Sequence, residues 1–188
     1  MKKGDEKPRS HWRWVLHIFL MSVVLSAFLS LASGIALEDA GYALAVMVLV
    51  AFIALGIVFD ILGVAVTAAD MRPFHSMAAH REKGAKEALR LLKNAEKVSS
   101  FCNDVVGDIC GIVSGTTAAV IVAHLQASFS TRSILISIAV TALISGLTIG
   151  GKAAGKRLAL SRSTEVVLRA ARVLRLFRFG SKKRGKTN

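Results

Sequence analysis

Four apolar stretches fix what this chain can fold into. They lie at about residues 12–33, 42–68, 98–126 and 133–156, and each reaches the roughly 20 residues an α-helix needs to cross a bilayer. Hydrophobic residues make up 53% of the 188, yet the formal net charge is +13, so apolar and charged residues are segregated along the chain. A water-soluble domain of this size does not need four such stretches. The expected fold class is therefore all-α: a polytopic membrane protein with four transmembrane helices plus cytoplasmic amphipathic juxtamembrane helices.

The first stretch follows four basic and two acidic residues in Met1–Arg9, the arrangement of a signal peptide. It is too long for a signal core, and residues 30–34 make a poor cleavage site, so it counts as a span. The expected organisation is a basic N-terminus at 1–11, a transmembrane domain at 12–156 with a helix at 74–97, and a basic amphipathic helix and tail at 157–188.

Lysine and arginine set the orientation. Seven basic residues fall between Arg72 and Lys97, and twelve fall from Lys152 to the end against the single Glu165. The other two connections carry only Glu38 with Asp39, and Arg132. The positive-inside rule then expects a multi-pass protein of the cell (inner) membrane with both termini cytoplasmic.

Two juxtamembrane pieces keep helical spacing. Phe74, Met77, Ala78, Ala85, Ala88, Leu89 and Leu92 form one apolar stripe after Pro73; Val166, Ala170, Val173, Leu174 and Phe177 form another. Both read as helices lying along the inner leaflet, with helices packed on a soluble partner as the alternative. Arg169, Arg172, Arg175, Lys182, Lys183 and Arg184 are expected to meet anionic lipid headgroups. A nucleic-acid partner is not expected, because a basic cluster beside a span serves topology and lipid.

Within the spans, polar and small residues line up. Gly56, Asp60, Gly63, Thr67 and Asp70 share one face of the second span; Ser100, Asp104, Gly107, Gly111 and Gly115 share one face of the third, flanked by Asn103 and Asp108. Ser137, Thr141, Ser145, Thr148 and Lys152 repeat the spacing in the fourth, and Ser22, Ser26, Ser30 and Ser33 in the first. Lipid provides no hydrophobic drive for helix association, so such stripes are expected to face inward, with Gly107, Gly111 and Gly115 as helix-packing positions within the chain or between two copies.

A carboxylate at the centre of a membrane helix costs roughly 2.5–3.5 kcal/mol even on lenient scales, which marks Asp60, Asp104 and Asp108 as functional or paired. By helical rise Asp104 and Asp108 lie roughly 9 and 15 Å above the start of their span, at the level of Asp60 and near Lys152. Oxygens of Thr67, Ser100, Asn103, Ser145 and Thr148 surround that level, a ligand set suited to a hard divalent cation. The plainer alternatives are that Lys152 snorkels to the interface and that Asp104 and Asp108 form a structural pair or carry a proton.

Other chemistry is sparse. Cys102 and Cys110 are roughly 12 Å apart along one helix and cannot bridge. His11, His17, His75, His80 and His124 form no ligand spacing, and no nucleotide, esterase or zinc-protease motif occurs, so an enzyme is not expected.

Thr67-Ala68-Ala69-Asp70, a helix opened by Gly84-Ala85-Lys86, then Asn103 and Gly151-Lys152-Ala153-Ala154-Gly155-Lys156 follow one another in an order that resembles the transmembrane domain of the CNNM/CorC (cyclin M) magnesium transporters over roughly residues 48–179. Thr67-Ala68-Ala69-Asp70 is similar to that family's small-small-acid element, and Gly84-Ala85-Lys86 opens a helix like its Gly-Ala-Lys helix. Asn103 is similar to its asparagine near the bound ion. Gly151-Lys152-Ala153-Ala154-Gly155-Lys156 is similar to its closing Gly-Glu-x-x-Pro-Lys motif, with Lys152 in place of the acid and Gly155 in place of the proline. The chain is shorter than the family between Asp70 and Gly84, carries an added first span, and stops before a CBS pair would begin.

The resemblance implies a homodimer that moves magnesium, with no other cofactor. The expected function is divalent-cation binding or transport through a cytoplasm-facing acidic cavity, with metal ligands drawn from Asp60, Asn103, Asp104, Asp108, Thr67 and Ser100. The alternative is a non-transporting structural or partner-binding membrane protein in which Lys152 compensates the charge of the aspartates.

Overall fold

Backbone N–H and C=O groups in hydrocarbon find partners only inside a helix or a closed barrel, and an apolar chain without strand alternation takes the first route. The computed structural model describes residues 8–38, 41–128 and 134–184, and among them no strand occurs. The helices are α1 (Pro8–Glu38), α2 (Tyr42–Ala68), α3 (Arg72–Ala79), α4 (Ala85–Lys93), α5 (Ala95–Ser100), α6 (Asp108–Ser128), α7 (Ile134–Ser161) and α8 (Ser163–Arg184). Residues Phe101–Gly107, between α5 and α6, form a π-helix.

Four segments are long and apolar enough to cross a membrane: Val15–Ile35, Tyr42–Ala68, Ala95–Gln126 and Ile134–Ser161. The protein is a multi-pass membrane protein, as the four apolar stretches require.

Helix α2 is the hub, packed against α6, α7, α5, α8 and the π-helical segment. Its contact with α7 depends on missing side chains. A Cβ at Gly155 would lie 2.7 Å from Ile61 Cγ1, and one at Gly151 would overlap Ile57. Close backbone approach of this kind replaces the hydrophobic drive that lipid cannot supply. Helix α1 adds Ile18, Leu25 and Leu29 to Phe52, Phe101, Val105, Ile109 and Val113, and buried Ser33 and Thr117 bring their hydroxyl oxygens to 3.5 Å.

The juxtamembrane pieces differ from expectation in one respect. The helix expected over 74–97 is broken at His80–Gly84, where Arg81 (φ 56°) and Gly84 (φ 93°) adopt left-handed conformations that no helix can continue. The two amphipathic pieces also bury part of their apolar faces against each other and against the ends of two spans. Phe74, Ala88, Leu92, Val167 and Ala171 are buried together with Ala65, Val66 and Ala159 from the ends of α2 and α7. The buried face of α8 is set by Val167 and Ala171, with Val166 and Ala170 half-buried and Val173 and Leu174 exposed. The side chains of Phe177, Lys182, Lys183 and Arg184 lie outside the described residues, as do residues 1–7.

Candidate cation site between α2 and the π-helical segment

The face of α2 at Gly56, Asp60 and Gly63 is buried, as its spacing predicts. It packs on the π-helical segment, whose i→i+5 bonding is rare and concentrated at functional sites. The half-buried Asn103 lays its carboxamide directly over Gly63, where any Cβ would overlap it. Asn103 Nδ2 donates to Ser99 Oγ at 3.3 Å, one helical step back.

That arrangement leaves acceptors facing inward without donors. Asp60 Oδ2 and Asn103 Oδ1 are fully enclosed and have no hydrogen-bond partner, and Ser114 Oγ is in the same position on α6. Asp60 as a whole is 6% exposed. An enclosed oxygen without a donor costs about 1–3 kcal/mol, more for a charged group, unless something electropositive completes it.

The three aspartates do not converge. Asp104 and Asp108 are exposed, on the outside of the bundle. Asn103 and Gly107 face the neighbouring helices, and the residue that follows each, Asp104 and Asp108, faces out. Among the described residues no three Asp, Glu, His or Cys side chains come together as a metal-holding group.

Thr67 is exposed, and its hydroxyl donates to the backbone oxygens of Val64 (2.9 Å) and Gly63 (3.4 Å), so it is spent within its own helix. Ser100 is half-buried, and Ser145 is exposed on α7. Thr148 donates to Ile144 O at 2.8 Å.

Lys152 is half-buried and reaches between α2 and α6, its Nζ 3.6 Å from where a Cβ at Gly107 would stand. With Gly56, Gly107, Ser114 and Thr148 it lines a cavity of about 10 Å³, the space of a single water. Gly56 is one turn from Asp60 on α2, so this small cavity and the buried aspartate lie on the same face of that helix. Among the described residues no ion pair joins Lys152 to Asp60, Asp104 or Asp108.

The glycine stripe is realised only in part. Gly107 is buried, whereas Gly111 and Gly115 have no neighbour within 4 Å of a Cβ position. Steps of four advance a helix by about 400°, so the stripe drifts off the contact within two turns. The close contacts are instead at Gly56, Gly63, Gly151 and Gly155.

Of the headgroup candidates, Arg169 is engaged by Glu165, which also pairs with Arg162 at 3.7 Å. Arg172 Nε donates to Lys83 O at 3.4 Å. Sequence reasoning passed over Ser99 and Ser114; the four-residue step from Ser99 to Asn103 was the signal available for the first. Cys102 and Cys110 are buried free thiols.

The arrangement is an internal, acceptor-rich contact between two spans, with the Lys152 side chain of a third span reaching the same face of α2 at Gly56. The model of the cyclin M transmembrane N-terminal domain family matches residues 47–179. No curated protein and no solved structure matches the chain.

Proposed function

From the premise that the chain belongs to the cyclin M transmembrane domain family, a transporter-type membrane domain rather than an enzyme family, we propose that it takes up a divalent cation, magnesium, between α2 and the π-helical segment. Asp60 supplies the charge and Asn103 Oδ1 the second protein oxygen. The observation that carries this reading is the pair of enclosed, donorless oxygens on two packed spans.

Magnesium suits so sparse a ligand set. It is commonly held by one or two carboxylates rather than by the all-protein cage that calcium favours. The distribution of lysine and arginine supports an inner-membrane orientation with both ends and α3–α5 on the cytoplasmic side. Asp60 then lies in the cytoplasmic half of α2, and the cation enters from the cytoplasm. Asp104 and Asp108, costly against lipid, form the face that a second copy of the chain covers in a homodimer.

The test is flux in proteoliposomes. Wild-type protein is expected to move magnesium down an imposed gradient, and Asp60→Asn to abolish it while eluting from a sizing column as wild type does. Wild-type vesicles without flux of any divalent ion overturn transport.

Lys152 supports a second reading. Its ammonium, beside Gly107 and on the face of α2 that carries Asp60, acts as a resident cation, and the chain is a non-transporting structural or partner-binding membrane protein. Under this reading Lys152→Ala leaves the buried carboxylate without a compensating charge and costs about 1–3 kcal/mol. Under the transport reading the same substitution removes a competing charge and tightens cation binding.

A further inference from the structure

The break between α3 and α4 faces α8 across a cavity of about 630 Å³ lined by Glu82, Lys83, Arg172, Arg175 and Leu176. That volume falls within the usual range for small-molecule sites, about 300–1,000 Å³. Three cationic side chains against one carboxylate give the lining a net charge of +2.

The geometry of the basic groups is built, not incidental. Ala171, fully buried, anchors α8 in the apolar core, so the next residue emerges at the edge of that contact. The Arg172 stem lies against Gly84, where a Cβ would be 3.0 Å from Arg172 Cγ and where φ is +93°; a side chain there would be both strained and in the way. The Nε bond to Lys83 O fixes the plane of the guanidinium and leaves its two terminal nitrogens to aim elsewhere. Arg175 and Leu176 follow one turn on, along the same edge. Arg169, by contrast, is held by Glu165 outside the cavity.

The surroundings identify the occupant. Val173, Leu174 and Leu176 are exposed on α8 at 51%, 46% and 74%, next to the basic groups and at the end of the bundle where spans α2 and α7 finish. A short amphipathic helix with apolar residues outward and arginines beside them sits at the headgroup–acyl boundary of a bilayer. Basic pockets at that depth hold anionic lipid headgroups, and paired guanidinium groups match phosphate oxygens.

We propose that this cavity binds the phosphate of an anionic phospholipid, with Lys83 and Arg172 contacting the phosphate, Arg175 completing the basic wall, and the acyl chains running past Leu176. The site is separate from the cation site and holds whether or not the chain transports.

The test uses the full chain in neutral detergent, titrated with dioctanoyl phosphatidate, dioctanoyl phosphatidylcholine or inorganic phosphate and followed by thermal melting. Phosphatidate is expected to raise the melting temperature saturably, while phosphatidylcholine and inorganic phosphate leave it unchanged. Arg172→Gln with Arg175→Gln should weaken phosphatidate at least about tenfold, the loss of one charge-assisted hydrogen bond. Lys83→Gln, at an exposed turn, should weaken it measurably without touching the buried core, and Arg169→Gln should bind like wild type. Equal binding by wild type and both cavity variants overturns the proposal. So does a loss on Arg169→Gln as large as that on the Arg172→Gln, Arg175→Gln double variant, and inorganic phosphate matching phosphatidate would transfer the site to free phosphate compounds.

Discussion

The carboxamide of Asn103 fills the notch left by the missing side chain of Gly63, one turn beyond Asp60 on α2. This one contact sets which face of the π-helical segment looks into the protein. It brings an enclosed amide oxygen to the helix that carries an enclosed carboxylate oxygen, and it sends Asp104 and Asp108 outward.

Gly63→Ala should therefore push Asn103 out of place. Overpacking a well-filled contact costs about 1–3 kcal/mol, a fall in melting temperature of roughly 2–4 °C for each kcal/mol in a chain of this size. Thermal melting of Gly63→Ala, Asn103→Ala and the double variant checks it. The double variant should recover most of the Gly63→Ala loss; additive losses would mean the two positions do not meet.

Gly84→Ala tests the turn between α3 and α4. An alanine at φ +93° costs about 1–2 kcal/mol, and its Cβ meets Arg172 as well. The melting temperature should fall, and limited proteolysis should speed up between residues 80 and 84. A neutral substitution would show that the turn relaxes freely.

Lys152→Ala separates the two functional readings by its sign. A loss of about 1–3 kcal/mol in detergent, seen as a melting temperature lower by roughly 2–12 °C, favours the resident ammonium. A small change in stability together with tighter divalent-cation binding favours transport.

The outward face of Asp104 and Asp108 is expected to meet a second copy. Ile112, on α6 and 58% exposed, lies one turn beyond Asp108. Ile112→Cys, with Cys102 and Cys110 replaced by serine, should form an intermolecular disulfide in membranes on mild oxidation. Only monomer on a non-reducing gel would place the dimer contact elsewhere.

Much of this fold was legible because lipid simplifies the problem: spans of this length and apolarity become helices, and the four stretches appear within a few residues of where their sequence puts them. The inward face of α2 was legible as well, since Gly56, Asp60 and Gly63 keep one helical register. The third span was not, because its register changes. Periodicity assumes a uniform α-helix, and the π-helical turn at Phe101–Gly107 decouples Ser100 from Gly107, so one stripe drawn through both mistakes which residues face inward. The break at Arg81–Gly84 was hidden for a similar reason, since an arginine with positive φ leaves no mark in an otherwise helical stretch. The amphipathic stripes were visible, but one sequence cannot say whether an apolar face meets lipid or another helix, and Phe74 and Val167 chose each other's cluster.

Binding of a divalent cation at Asp60 is tested most directly by titrating the purified protein with manganese, which shares magnesium's preference for octahedral oxygen ligands, and counting free ion by electron paramagnetic resonance. Manganese is expected to fill a saturable site that magnesium displaces, that is lost in Asp60→Asn and weakened in Asn103→Ala, and that persists in Asp104→Asn. Binding that survives Asp60→Asn undiminished, or no binding by the wild type, would contradict a cation site at Asp60.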